Sequence, residues 1–223
     1  MTHGLILDFG GVVSRTLFET HDQTERALGL PPGTLTWRGP FAPDSDPLWQ
    51  AMQRGEISER QYWLQRAGEV GALLGEHWSA MHTLVQRARG TEPERVVRPE
   101  TLALIDDARA AGCRLAVLSN ELDLFYGPTL RSRLACLQAF DAVVDATHTG
   151  VLKPDPRAYR MALDALGLPA ARCVFVDDQP RNIDGARAVG LMTVAFDVRD
   201  PQASCDHVRQ RLGLRGFPGL AVV

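Results

Sequence analysis

The sequence predicts an α/β protein with a parallel β-sheet covered by helices on both faces. Short apolar runs of about four residues recur along the chain, and helical patterns fall between most of them. Alternation of this kind is typical of a parallel sheet with helices on both sides. Proline at a helix start and glycine after a helix end, as at Pro156 and Gly167, mark the boundaries of the predicted helices.

The predicted elements follow one another in a regular order. The buried strands are expected at 5–7, 115–118, 142–144, 174–176 and 193–196. The helices between them are expected at about 99–111, 121–134, 156–166 and 180–189. Together these elements predict one domain formed by residues 1–14 and 92–223.

Residues 15–91 interrupt this alternation and predict a separate, inserted helical domain. The helices of this domain are expected at about 17–28, 46–54, 58–69 and 72–90. The segment 31–47 is too rich in proline for regular structure. All four tryptophans fall in this domain, and we expect them to form its core. Trp37 and Phe41, in the proline-rich segment, are the better candidates for aromatic residues that face a substrate.

Composition excludes several classes of protein. A net charge of -3 and a pI near 6.1 give no basic surface for nucleic acid or anionic lipid. The longest apolar runs are too short to span a bilayer, and the first residues show no signal-peptide pattern. The four cysteines form no CxxC pair, so buried free thiols are expected. We therefore predict a cytoplasmic protein.

Polar residues follow the predicted strands, at the edge where open parallel sheets bind their ligands. These residues are Asp8 with Gly10 and Gly11, Ser119 with Asn120, Lys153, and Asp177 with Asp178. Taken one at a time, such acids and hydroxyls are explained by helix capping. Taken together, they predict a binding site.

Three carboxylates at one edge would repel one another unless a cation is present. Oxygen ligands of this kind suit Mg²⁺, which is usually completed by a substrate phosphate. Lys153 and Ser119 could then contact the phosphoryl group, together with backbone N–H groups of Phe9, Gly10 and Gly11. Asn120 is predicted to belong to the same phosphate-binding set. One carboxylate near the metal is a candidate nucleophile toward phosphorus.

Lys153 is the single lysine among 24 basic residues, the others being arginines. Arginine is a planar fork, whereas lysine is a compact point charge, and the two are not interchangeable at a tight anionic site. The retention of lysine at this position therefore fits a role in the predicted site.

The order and spacing of these residues resemble the four motifs of the haloacid dehalogenase-like superfamily, and the resemblance covers the whole chain. The motifs read Leu5-Ile6-Leu7-Asp8-Phe9-Gly10-Gly11-Val12-Val13, Val117-Leu118-Ser119-Asn120, Lys153-Pro154-Asp155-Pro156, and Phe175-Val176-Asp177-Asp178 through Asn182. The resemblance implies a three-layer Rossmann-like core and a helical cap at 15–91.

The resemblance also implies a role for each site residue. Asp8 would form an aspartyl-phosphate, and Ser119 and Lys153 would bind the phosphoryl group. Asp8, the Gly10 carbonyl and Asp178 would hold Mg²⁺, with Asp177 either a direct ligand or behind the ligands. The substrate would be a small phosphorylated metabolite.

Gly10 departs from the pattern, because most phosphatases of the family carry there an acid that protonates the leaving group. Glu121, Asp123, His77 and His82 are candidate substitutes. Alternatively the leaving group needs little help, as with a sugar 1-phosphate. The Asp8–Gly10–Gly11 pattern and the segment 54–58 look similar to members that act on sugar phosphates. Asn182 also departs, since many members have an aspartate there.

Two other functions are compatible with the motifs. One is hydrolysis of a 2-haloacid through an ester on Asp8, which needs no metal and leaves Asp177 and Asp178 without an evident role. The other is a binding module that has lost turnover, as the Gly10 departure would allow. The retained acids and Lys153 favour the phosphatase over both. The oligomeric state is left open by the sequence.

Overall fold

The computed structural model divides the chain into two compact units. The first takes in Met1–Arg15, Val96–Leu122 and Leu134–Val223, and the second Thr16–Arg95 and Asp123–Arg133. The structure describes residues 2–89 and 93–214. The predicted boundary at 91–92 lies outside the described residues. The segment 123–133, which the sequence assigns to the first unit, belongs to the second.

A five-stranded parallel sheet forms the centre of the first unit. The strands are β1 (Gly4–Leu7), β2 (Arg114–Ser119), β3 (Ala142–Asp145), β4 (Cys173–Asp177) and β5 (Met192–Ala195), in the order β3-β2-β1-β4-β5. The five predicted strands are confirmed, each bound lying within one residue of the observed one. β1 lies between β2 and β4, so polar residues at the ends of these three strands are neighbours.

Helices cover both faces of this sheet. The α-helices of the described residues are α1 (His21–Leu28), α2 (Pro47–Gln53), α3 (Glu59–Leu73), α4 (Met81–Arg89), α5 (Pro99–Ala110), α6 (Leu122–Arg131), α7 (Ala146–Thr149), α8 (Pro156–Leu166), α9 (Pro180–Ala188) and α10 (Pro201–Leu212). α8 and α9 pack on one face, where they bury Ile6, Leu118 and Phe175, and α5 and α10 pack on the other. In the described part of the chain, no helix is long and apolar enough to cross a membrane.

Local signals explain where α8 and α10 begin and end. The Asp155 carboxylate accepts from the Arg157 N–H at 2.9 Å, Pro156 opens α8, and Gly167 ends it with φ 62°. This confirms the helix predicted at 156–166. α10 was not predicted, although it has the same signals in Asp200, which caps its first turn, and in Pro201.

Two predicted helices differ from the observed ones because glycines interrupt them. Gly127 has φ 68° and ψ 159° and kinks α6. The helix predicted at 72–90 is wrong in its first part, since α3 ends at Leu73 and α4 begins only at Met81. Between them the chain turns at Gly75, with φ 69°, and the Trp78 side chain lies against Gly71. The predicted end at 90 lies outside the described residues.

Aromatic side chains form the core of the second unit, as predicted. The rings of Trp37, Trp49 and Trp63 surround Phe18, with centroids 5.2–5.5 Å from that ring. Trp37 is only 7% exposed, so it is a core residue and not the exposed aromatic that the sequence suggests. Phe41 is 38% exposed and stays a candidate for contact with a substrate.

The proline-rich segment 31–47 has no α-helix or strand before the start of α2, but it contains two short 3-10 helices, Gly39–Phe41 and Pro43–Ser45, which the prediction of no regular structure left out. The end of the segment is held by a buried ion pair. The Asp46 carboxylate, which is fully buried, accepts from Arg66 Nη2 at 2.6 Å and from the Tyr62 hydroxyl at 2.9 Å. It also accepts from the Trp49 backbone N–H at 2.9 Å and so caps α2. One carboxylate thereby joins the end of the segment to α2 and α3.

Replacement of Arg66 by methionine tests this ion pair. We expect Arg66→Met to lower the free energy of unfolding by about 3–5 kcal/mol, because Asp46 is left charged and buried. All four tryptophans lie in the second unit, so urea unfolding followed by tryptophan fluorescence reports on this unit. Arg26→Met, in an exposed pair with Asp22, is the control and should cost less than about 1 kcal/mol. Equal effects of the two variants would contradict the prediction.

Candidate active site

A buried ammonium group lies between two carboxylates at the carboxyl end of the sheet. Asp8 follows β1, and its N–H donates to the Val176 carbonyl at 2.9 Å, which holds it beside the end of β4. Lys153 Nζ lies 2.7 Å from Asp8 Oδ1 and 2.6 Å from Asp177 Oδ2. The Lys153 side chain is 1% exposed. Thus residues distant in sequence form one charged group.

The charge of Lys153 is fixed by these neighbours. Burial alone would lower the pKa of the ammonium, but the carboxylates of Asp177 and Asp8 outweigh burial and raise the pKa well above its ordinary value. Lys153 therefore carries a positive charge at neutral pH and is suited to holding an anionic group.

The loop that carries Lys153 is fixed by contacts to its main chain. Asn120 Nδ2 donates to the Lys153 carbonyl at 3.2 Å, and the Lys153 N–H donates to Asn120 Oδ1 at 2.7 Å. Both ends of the Asn120 carboxamide therefore bind this loop, and a contact of Asn120 with phosphate stays a prediction. Gly185 lets α9 approach, since a Cβ there would lie 2.8 Å from both Pro154 Cβ and the Tyr159 hydroxyl.

Asp177 is surrounded by donors. Besides Lys153, its oxygens accept from Asn182 Nδ2 at 3.0 and 3.1 Å and from the Gln179 N–H at 2.8 Å. The departure at position 182 thus has a physical reason. An aspartate there would place a second negative charge against Asp177, whereas the asparagine amide donates to it. The sequence alone did not reveal this contact.

Asp178 lies against the turn that follows Asp8. A Cβ built on Gly11, whose φ is 83°, would lie 2.7 Å from Asp178 Oδ2, so a glycine is needed there. Gly10 is different, because a Cβ built on it meets no atom within 4 Å and its φ is not positive. One oxygen each of Asp8, Asp177 and Asp178 lie within 4.8 Å of one another.

Ser119 is the last of the predicted site residues. It ends β2 and is only 5% exposed. Its hydroxyl accepts from the Glu121 N–H at 3.3 Å. The structure therefore brings Asp8, Ser119, Lys153, Asp177 and Asp178 to the carboxyl ends of β1, β2 and β4.

The candidate substitutes for an acid at position 10 lie in both units. Glu121 is buried in the first unit, directly after Asn120. Asp123 belongs to the second unit, as do His77 and His82, whose side chains are exposed.

Three comparisons identify related proteins. A model of the haloacid dehalogenase-like hydrolase family matches residues 4–190. The chain is 28% identical over 216 residues to acyl-CoA dehydrogenase family member 10 of Mus musculus, covering 96% of this chain and 19% of the relative. It is 37% identical over 114 residues to a phosphoserine phosphatase of Thermus thermophilus, covering 48% of this chain and 45% of the relative. The chain therefore spans less than half of the length of these curated relatives.

A solved structure shares the fold. The L-2-haloacid dehalogenase of Xanthobacter autotrophicus superimposes with a TM-score of 0.57 at 20% identity, covering 96% of this chain and 83% of that chain. The similarity to this structure concerns the arrangement of the strands and helices and is therefore not limited to the sequence motifs.

The two adjacent glycines give a test of the geometry after Asp8. We expect Gly11→Ala to lower the free energy of unfolding by about 1–2 kcal/mol, because of its positive φ and the contact with Asp178. Gly10→Ala is the matched control and should leave stability within about 0.5 kcal/mol. Urea unfolding followed by far-UV circular dichroism measures both. The assigned turn is wrong if alanine is tolerated equally at the two positions.

Proposed function

The chain belongs to the haloacid dehalogenase-like hydrolase family, and within it we propose a Mg²⁺-dependent phosphomonoester hydrolase that acts through an aspartyl-phosphate. The observation that carries this proposal is the grouping of three carboxylates, Asp8, Asp177 and Asp178, two of which, Asp8 and Asp177, are paired with the buried ammonium of Lys153. The proposed substrate is a small phosphorylated metabolite.

The charges of this group fit a divalent cation. Three carboxyl groups outnumber the one ammonium at this edge of the sheet, which favours the binding of a cation. Carboxylate oxygens suit Mg²⁺. Asp8, the Gly10 carbonyl and Asp178 are its proposed ligands. When bound, Mg²⁺ would neutralise the phosphoryl oxygens and so make phosphorus accessible to an anionic nucleophile.

The two neighbouring aspartates after β4 have different proposed tasks. Asp177 is fully buried, and its oxygens accept from Lys153, Asn182 and the Gln179 N–H. We therefore assign Asp177 to holding Lys153 and not to binding the metal directly. Asp178, which is partly exposed and lies beside Gly11, is the better metal ligand.

The remaining residues act on the phosphoryl group. The Asp8 carboxylate would attack phosphorus, and the bond to the leaving oxygen would break as the aspartyl-phosphate forms. Water would then hydrolyse this acyl phosphate, which releases inorganic phosphate and returns the Asp8 carboxylate. Lys153, held by its contact with Asp8, and the Ser119 hydroxyl would bind phosphoryl oxygens, on which negative charge gathers.

Gly10 bears on the choice of substrate. The space above it is open, and no side chain at this position can protonate a leaving group. Loss of a positioned acid typically costs roughly 10²–10⁴ in rate. A leaving group that departs easily, such as the anomeric oxygen of a sugar 1-phosphate, escapes most of this cost. We propose sugar phosphates as the first substrates to test, with the second unit as the cap that selects among them.

The described cysteines support the cytoplasm as the proposed location. All four are free thiols, and Cys173 and Cys205 are buried. Burial raises the pKa of each of these two thiols to about 11, so neither is a reactive thiolate at neutral pH. Free thiols of this kind are usual in a reducing compartment.

A metal-dependence assay separates the proposal from its alternatives. Purified protein with Mg²⁺ is offered sugar phosphates, nucleotides, small phosphorylated acids and p-nitrophenyl phosphate, with and without EDTA. We expect release of phosphate that EDTA abolishes, and a folded but inactive Asp8→Asn variant. Release of halide from 2-chloropropionate in EDTA would instead identify a dehalogenase. A binding module would show neither reaction and no Mg²⁺-dependent complex with beryllium fluoride.

A single exchange tests the role of the lysine. Lys153→Arg keeps the charge, but the planar fork does not fit between Asp8 and Asp177, so we expect turnover to fall by about 10² or more. Phosphate release and circular dichroism are measured together. Arg26→Lys, the reverse exchange in an exposed ion pair, should leave turnover unchanged. Near wild-type turnover in Lys153→Arg would refute the assigned role.

A further inference from the structure

Arg98 is a buried arginine at the start of α5, outside the motifs that the sequence offers. The residue is 2% exposed. It lies where the chain re-enters the first unit, and there its backbone N–H donates to the Val13 carbonyl at 2.9 Å. An isolated bridge between Ser14 and Val97 continues this pairing. The main chain of Arg98 is therefore fixed next to the segment that follows Asp8.

The side chain of Arg98 contacts two parts of the site. Its Nε donates to the Gly11 carbonyl at 2.9 Å. Its guanidinium lies over the ring of Phe196, with Cζ 5.5 Å from the centroid. Phe196 in turn donates its backbone N–H to the Asp177 carbonyl at 2.9 Å. One guanidinium thus contacts the turn after β1 and the segment bonded to the end of β4.

The contact with Gly11 is important because the Asp178 carboxylate lies directly against this glycine. Glycine has the widest choice of backbone conformations, and a fixed carbonyl removes most of that choice. The Asp178 carboxylate lies so close to Gly11 that a Cβ would be 2.7 Å from its Oδ2. A change in the conformation of Gly11 would therefore alter the turn against which the Asp178 carboxylate lies.

We propose that Arg98 is a positioning residue for the Mg²⁺ site, since it holds the Gly10–Gly11 turn in the conformation that admits Asp178. The inference rests on the proposed function, because it concerns the same metal ligands. Arg98 acts through Gly11 and touches neither the metal nor the substrate. An arginine suits this role, since its guanidinium donates to the Gly11 carbonyl and lies over the ring of Phe196 at once.

Thr101 offers a matched control in the same helix and the same loop. Its hydroxyl donates to the Val12 carbonyl at 2.8 Å, one residue beyond the bond made by Arg98. Thr101 is fully buried, as Arg98 nearly is. Thr101→Val therefore removes a buried hydrogen bond to the loop while the Arg98 contact with Gly11 stays intact.

Two measurements on Arg98→Met, Arg98→Lys and Thr101→Val test the proposal. The first is titration of Mg²⁺ alone into each protein by calorimetry. We expect binding to Arg98→Met to weaken by about 10–100-fold, as for other residues that support metal ligands. Arg98→Lys, which keeps the charge and stays usable if the methionine variant does not fold, should be weakened less. Thr101→Val should bind Mg²⁺ within about twofold of the unmodified protein.

The second measurement is hydrogen exchange of the amides of residues 9–12 without metal. We expect faster exchange in both Arg98 variants than in Thr101→Val, because only the former release Gly11. If the Arg98 variants bind Mg²⁺ as tightly as the unmodified protein, the role of Arg98 is refuted, whereas the proposed function is not. An equal loss in Thr101→Val also refutes the role of Arg98, because the effect would then be general loosening. Absence of Mg²⁺ binding and turnover in the unmodified protein overturns the proposed function, and this inference with it.

Discussion

Asp8 and Asp177 stand at the ends of neighbouring strands and share one buried ammonium, that of Lys153. Without this charge, the two acids would face each other with little access to water, at a large cost in free energy. The ammonium has to be held in place for the same reason. Asn120 therefore binds the main chain of Lys153 from the end of β2, and Gly185 lets α9 pack against the same loop. The parallel sheet is what brings these groups together, because it aligns the ends of β1, β2 and β4.

The site separates the tasks of groups that look alike. Asp177 and Asp178 are adjacent acids, yet one is saturated by three donors and the other lies beside a turn with a partly exposed carboxylate. Asn120 and Ser119 are adjacent polar residues, yet the carboxamide supports the lysine loop and the hydroxyl stays at the strand end. In each pair, one residue holds neighbouring groups in place, and the other is the residue that the proposed function assigns to the metal or to the phosphoryl group.

Much of the core could be predicted from sequence because its signals are local. Apolar runs of about four residues, with proline and glycine at the helix boundaries, predict the five strands. The residues that follow these strands include Asp8, Lys153, Asp177 and Asp178. The same kind of signal, Asp200 followed by Pro201, precedes α10, a helix that is missing from the predicted set. Other features depend on distant contacts that no local pattern carries. The Arg66–Asp46 ion pair joins residues 20 apart, and Arg98 meets Gly11 across 87 positions.

Gly10 and Gly11 show most directly what a local sequence pattern cannot predict, because they are two adjacent glycines whose surroundings differ. Gly11 is required by its φ of 83° and by the carboxylate of Asp178, so its identity is explained by packing. Gly10 has an ordinary φ and open space around its missing side chain, so packing places no such demand on it. Under the proposed function, the reason for glycine at position 10 belongs to the reaction. A side chain there would lie beside the proposed nucleophile, and its absence leaves that space to the leaving group of the substrate.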